Sequence, residues 1–254
     1  MSATTLDILA IAAHRDDVEQ TCGGTLLKMA QRGQHSGILD LTQGEMGTRG
    51  TADDRAREAA DAARILGATW RRALDIPDGR VENTWENRLK VASVIRETRP
   101  RVVILPYWKG RHPDHYTCSV LGYEACFLAG LAKLALSSQP SAGSQANVDL
   151  EKLAPHRPFK IIYATLYYDL RPTFVVDITQ QFDQKFASIL AYKSQFSDQE
   201  AGRDLFPAPD EIHARVESMA RYYGALGGVT YAEPFLQKEV GLVEDLLAIP
   251  VKSI

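Results

Sequence analysis

"LDILAIAAHRDDVE" (residues 6–19) decides how this chain is to be read. Its first eight residues form an apolar run of strand length, interrupted only by Asp7, and the run ends on His14, Arg15, Asp16 and Asp17. A short apolar run with polar bounds is the pattern of a strand buried on both faces, as in a parallel sheet covered by helices. A helix is predicted to follow over about Asp17–Arg32. The unit then recurs. "SGILDLT" (36–42) predicts a second strand, "DDRAREAADAARILG" (53–67) a helix closed by Gly67, and "WRRALDI" (70–76) a short strand. In "TWENRLKVASVIRETR" (84–99), Leu89, Val91, Val94 and Ile95 fall at helical spacing, and Pro100 stops the helix. "RVVILPY" (101–107) is the clearest buried strand, and "YTCSVLGYEACFLAGLAKLAL" (116–136) predicts a long helix.

This β-α-β-α order predicts an α/β fold, a doubly wound, mostly parallel Rossmann-like sheet flanked by helices, with right-handed crossovers. Residues 137–158 have loop composition. Beyond them come two strand candidates (160–168 and 173–179), a helix (180–196), a Pro-flanked loop (197–209) and a helix over about 209–223. The final thirty residues carry "GALGGVTYAEPF" and are expected to end in a closing helix. The whole chain, 1–254, reads as one domain: a core sheet with the site in 1–136, a loop, and a C-terminal extension of strands and helices over 159–254.

Hydrophobic residues make up 45% of the 254 and charged residues 24%, ordinary proportions for a globular chain. With 29 basic and 32 acidic residues the net charge is -3, which argues against nucleic acid or a membrane surface as the main partner. The run "ILAIAAH" is too short to cross a bilayer, and the charges that follow it do not suit a signal peptide. Cys22, Cys118 and Cys126 form no CxxC pair and read as reduced thiols of a cytoplasmic protein, with Cys126 a core residue.

In parallel α/β sheets, ligands bind beyond the carboxyl ends of the strands. His14, Asp16 and Asp17 stand at the end of the first strand. Gln43, Gly44 and Glu45 follow the second, and "RHPDH" (111–115) brings Arg111, His112, Asp114 and His115 to the end of the strand 101–107. Taken singly, a histidine after a strand is most often a satisfied polar residue, and Asp-Asp at a helix start is a cap. Two such groups at equivalent strand ends favour a shared site. An imidazole and a carboxylate from the first loop and an imidazole from the second suit Zn²⁺ with a coordination position left for water. Asp16 is then placed as a base and His112 as an acid or oxyanion donor. Gly23 and Gly24 do not complete a GxGxxG pattern, so a dinucleotide site has little support; they are expected to let the first helix pack closely on the sheet.

On these residues the chain resembles the LmbE-like (PIG-L) family of zinc-dependent N-deacetylases, whose motifs are AHPDD-E and HPDH. "LDLTQGEMGTRGTADDRAREAADAARILG" (39–67), "LDIPDG" (74–79), "PYWKGRHPDH" (106–115), "EACFLAGL" (124–131) and "GVTYAEPF" (228–235) extend the likeness to its bacillithiol-biosynthesis branch. The resemblance implies His14, Asp17 and His115 as ligands of one Zn²⁺ per chain, with Fe²⁺ or another divalent ion as the alternative. It implies Asp16 as general base, His112 as acid or electrostatic stabiliser, and Asp114 as the residue that holds His112. Arg55 falls where the family places a substrate-binding arginine, and Arg111 is a second candidate to orient substrate. The implied reaction is hydrolysis of the N-acetyl group of a small amino sugar: N-acetylglucosaminyl malate, or free N-acetylglucosamine or chitin oligomers. Homo-oligomers are implied as well. Glu45 and Glu233 lie in family-like motifs without an assigned role, and Tyr192 reads as a core aromatic.

Two positions depart from the family pattern. Arg15 stands where the motif has proline, and Gly110 where an acid is usual. Arg15 is expected to point to solvent. A non-catalytic relative that binds metal or sugar is the competing reading if Arg15 weakens the base.

Overall fold

The computed structural model describes residues 5–137, 153–165, 170–196 and 209–249. Its strands are β1 (Ile8–Ala12), β2 (Ser36–Asp40), β3 (Trp70–Ala73), β4 (Val102–Pro106), β5 (Lys160–Ala164), β6 (Phe174–Asp177) and β7 (Ala232–Leu236). They form a sheet in the order β3-β2-β1-β4-β5-β7-β6. From β3 through β5 all pairings are parallel, and β7 runs antiparallel to both of its neighbours. The α/β reading of the sequence holds.

The helices are α1 (Asp17–Thr21), α2 (Gly23–Gln31), α3 (Ala52–Ile65), α4 (Trp85–Thr98), α5 (Pro113–Ala129), α6 (Phe182–Leu190), α7 (Lys193–Phe196) and α8 (Pro209–Gly227). β1 shows why its sequence is apolar throughout. Leu9, Ile11 and Ala13 pack with α4 and α5 through Val91, Val94, Cys118 and Leu121. Ile8, Ala10 and Ala12 pack on the other face with Val18, Cys22, Leu26 and Leu27. Every β1 residue is buried because a helical layer covers each face.

Several boundaries differ from the sequence expectation, each for a visible reason. The helix expected over 17–32 is broken at Cys22 into α1 and α2. Lys185 Nζ donates to the Gln20 carbonyl at the end of α1 (2.8 Å), and the Glu233 carboxylate accepts from the Gly24 and Thr25 N–H groups that open α2 (2.8 and 2.7 Å). Buried partners thus satisfy both helix ends at the break. α5 begins at Pro113, not 116, because His112 caps it and Pro113 takes the first helical position. It stops at Ala129, not 136, where buried Arg96 donates to the carbonyls of Ala129, Leu131 and Leu134. The helix expected over 180–196 is split into α6 and α7, while α8 runs on past 223 to Gly227.

The largest correction is at the C-terminus. In place of a closing helix, "AEPFL" forms β7 between β5 and β6, and the later described residues hold only a 3₁₀ turn at Leu246–Ala248. Pro234 argues against an inner strand because it has no N–H to donate. The ladder accommodates it: β5 pairs with β7 only at Tyr163–Leu236 and Ala164–Phe235, one step short of Pro234. Parts of the expected loops and strands, at 138–152, 166–169 and 197–208, lie outside the described residues.

Candidate metal centre

The chain leaves β1 for β2 and later returns to place β4 on the other side of β1. The strand order therefore switches between β1 and β4, the position at which open α/β sheets bind ligands. His14, Asp16 and Asp17 follow β1 there; His112, Asp114 and His115 open α5 just after β4. The two motifs meet, as the sequence predicts.

His14 Nδ1 lies 3.2 Å from His115 Nε2. Asp17 presents one oxygen to each ring, Oδ2 at 3.4 Å from His14 Nδ1 and Oδ1 at 3.1 Å from His115 Nε2. A tetrahedral Zn²⁺ with donors about 2.0–2.1 Å away separates its ligand atoms by roughly 3.3–3.4 Å. The three pairwise separations lie near that span, with each ring facing a different oxygen of Asp17, so the donor set suits a divalent ion. His112 completes the cluster: ring nitrogens of His14, His112 and His115 lie within 4.8 Å of one another.

The other ring nitrogen of His14 faces two more acids. Its Nε2 is 3.1 Å from Asp78 Oδ1 and 3.3 Å from Asp114 Oδ2. Carboxylates on the far nitrogen of a ligating imidazole fix its tautomer and orientation. Asp78, in "LDIPDG", was not picked out from the sequence; the only local signal was its place after β3 in a family-like string. Its Oδ2 accepts from the Met46 N–H (3.0 Å), while Glu45 Oε1 accepts from the Asp78 N–H (2.8 Å). This reciprocal tie between the loops after β2 and β3 gives Glu45 a role.

Asp114 differs from expectation. Its carboxylate accepts from the Gly79 and Val81 N–H groups (2.8 and 3.2 Å) and faces His14, and it does not hold His112. The link to His112 runs through the Asp114 N–H, which donates to His112 Nδ1 at 3.2 Å. Accepting at Nδ1 leaves the proton of a neutral His112 on Nε2.

The surrounding carboxylates favour positive charge on the His14 and His115 rings. Burial disfavours a charged His14, but hydrogen bonds to Asp114, Asp17 and Asp78 outweigh it, and the imidazole is pushed up to about 12. Burial likewise opposes charge on His115, and Asp17 overcomes it and raises that ring. His112 moves the other way, lowered by burial and by the charges of His14 and His115.

Arg15 overturns the solvent expectation. It is 7% exposed, and its Nη1 donates to the Ala52 carbonyl at 2.6 Å. The turn after β1 tucks beneath the start of α3, and that carbonyl gives the buried guanidinium a partner. Arg55 is also buried, packed against Gly44, and its Nη2 donates to Asp16 Oδ1 at 3.1 Å. Arg111 is exposed and lines the cleft beside Asp16. Tyr192 is fully buried, its hydroxyl donating to Glu19 Oε1 (3.0 Å). A Cβ at Gly110 would meet nothing within 4 Å. A cleft of about 490 Å³ opens beside Asp16 and Arg111 and runs between Lys185, Glu233 and the α8 residues Met219 and Tyr223.

The chain belongs to a known class, the PIG-L (LmbE-like) deacetylase family. The family model described as PIG-L, GlcNAc-PI de-N-acetylase, matches residues 9–126. The diacetylchitobiose deacetylase of Thermococcus kodakarensis is 31% identical over 237 residues, covering 89% of this chain and 80% of that one. The conserved protein TT1542 from Thermus thermophilus has the same fold, with TM-score 0.80 and 40% identity over 94% of this chain and 98% of that one. The 4-oxalmesaconate hydratase of Pseudomonas putida is 26% identical over 208 residues, covering 77% of this chain and 76% of that one.

Proposed function

We propose that the protein is a zinc-dependent N-deacetylase of an N-acetylglucosamine conjugate. The observation that carries this is the donor triad of His14, Asp17 and His115, 3.1–3.4 Å apart, with Asp16 at the edge of a cleft. A divalent ion held by these residues supplies a Lewis acid and makes water acidic enough to deprotonate near neutral pH.

The surrounding residues divide the remaining work. Asp16 accepts the proton of the attacking water; Arg55, on its Oδ1, fixes the carboxylate in place. His112 donates from Nε2 to the developing oxyanion, since its Nδ1 is engaged by the α5 backbone. The proton taken by Asp16 is then available to the leaving amine. Asp78 and Asp114 hold His14. Arg111 is suited to an anionic group on the sugar, which favours N-acetylglucosaminyl malate over free N-acetylglucosamine or chitin oligomers. Three buried free cysteines suit a reducing cytoplasm. The exposed row Tyr116, Val120, Tyr123 and Phe127 on α5 suits assembly into a homo-oligomer. No helix among the described residues is long and apolar enough to cross a membrane.

The test is acetate release by purified protein from N-acetylglucosaminyl malate, N-acetylglucosamine and diacetylchitobiose, with and without a chelator. Release that survives complete metal removal would overturn the mechanism. Hydration of 4-oxalmesaconate without acetate release from any of the sugars would assign the chain to the chemistry named for its Pseudomonas relative.

A further inference from the structure

Beneath the turn that joins His14 to Asp17 lies a block of buried charge that the proposed chemistry does not use. At its centre is Arg71 of β3, whose five N–H donors all have acceptors. Nε and Nη2 bind Asp40 of β2 as a fork (2.8 and 3.0 Å). Nη1 donates to Glu19 Oε1 (2.6 Å) and to the Ala59 carbonyl (3.2 Å). The remaining Nη2 proton goes to the backbone carbonyl of Arg15, at 2.7 Å. Asp40 and Glu19 are at most 1% exposed, so these bonds form out of water, where a fork to a carboxylate is both strong and directional.

We propose that Arg71 is a positioning residue for the metal-ligand turn. The Arg15 carbonyl lies one residue after His14 and two before Asp17, so its position fixes the backbone that carries both ligands. Within the turn, the His14 N–H donates to Asp17 Oδ2 at 2.9 Å, while the Asp17 N–H reaches the His14 carbonyl only at 3.4 Å. The turn is lightly braced by itself, and Arg71 braces it against the sheet. The Asp40 fork makes that reference rigid: the strands set the guanidinium plane, and the guanidinium sets the carbonyl. The Arg15 side chain adds a second strap through the Ala52 carbonyl. Lysine keeps the charge of Arg71 but has no planar fork with which to span Asp40, Glu19 and the Arg15 carbonyl together.

This inference rests on the metal-site reading for its consequence, but the brace itself can be tested apart from it. Arg71→Lys is compared with Arg72→Lys, its strand neighbour, which pairs with Glu97 instead. Zinc affinity is measured by chelator competition, kcat and KM by acetate release, and backbone mobility by hydrogen exchange of the peptide covering residues 12–20. Arg71→Lys is expected to weaken zinc binding about tenfold or more, to lower kcat with little change in KM, and to speed exchange in that peptide. Arg72→Lys should leave all three at wild-type values. If Arg71→Lys does not fold, Asp40→Asn loosens the same fork and should shift affinity and exchange in the same direction. A folded Arg71→Lys or Asp40→Asn protein with wild-type zinc affinity and wild-type exchange would overturn the proposal. Failure of the wild-type protein to bind zinc would instead sink the metal-site reading, and hydrogen exchange would still decide whether Arg71 braces the turn.

Discussion

Replacing Asp78 with asparagine tests the arrangement around His14 most directly. Asp78 Oδ1 lies 3.1 Å from His14 Nε2, and its Oδ2 accepts from the Met46 N–H. Asparagine keeps the shape and can keep the Met46 bond through its carbonyl oxygen. What it removes is the negative charge facing the imidazole. Loss of such a partner typically costs about 10–100-fold in metal affinity or activity. Asp114 stays at 3.3 Å from the same nitrogen, so the single change should sit near the low end, about tenfold, or about 1.4 kcal/mol. Asp78→Asn with Asp114→Asn removes both acids and should approach about a hundredfold. Asp114 also accepts from the Gly79 and Val81 N–H groups, so the double variant is read only after its fold is checked by circular dichroism. The assay is competition for Zn²⁺ against a chromogenic chelator at fixed pH. A zinc dissociation constant unchanged in both variants would show that these carboxylates do not orient a metal-bound His14.

Three further outcomes are expected. Asp16→Asn should lower kcat by about 10²–10⁴-fold while leaving zinc stoichiometry intact, as expected if it is the proposed base and not one of the proposed ligands; loss of zinc from this variant would assign Asp16 to the metal. Zinc at about a thousand times its dissociation constant should stabilise the wild-type protein by about 4 kcal/mol in urea unfolding, and His115→Ala should abolish that gain. Lys185→Met breaks the buried pair with Glu233, 2.5 Å apart, and should destabilise by about 3–5 kcal/mol. Adding Glu233→Gln should recover part of the loss, and a double variant no more stable than the single would show that the pair is not coupled.

Much of this was written locally. β1 and β4 are legible because a strand covered on both faces must be apolar throughout, and α3 and α4 because their caps and stops lie within a few residues of each end. The strand-end histidines and acids follow from that reading, since a parallel strand delivers its next residues to one edge of the sheet. Position after a strand, however, says nothing about what a side chain will touch. Arg15 looked free for solvent until the start of α3 covered it, and Arg55 is paired with Asp16 across 39 residues. Asp78 joined the site only because the loops after β2 and β3 tie together beneath His14. Glu233 acquired its role when β7 entered the sheet beside β5 and brought a carboxylate to the opening N–H groups of α2, more than 200 residues earlier in the chain. The sequence by itself determined the class of fold and the two strand-end motifs that meet at the candidate metal centre, through patterns of apolar spacing and adjacency. Only the tertiary structure decided which buried charges hold those residues in place, because a buried charge takes its partner from whatever the sheet order brings near.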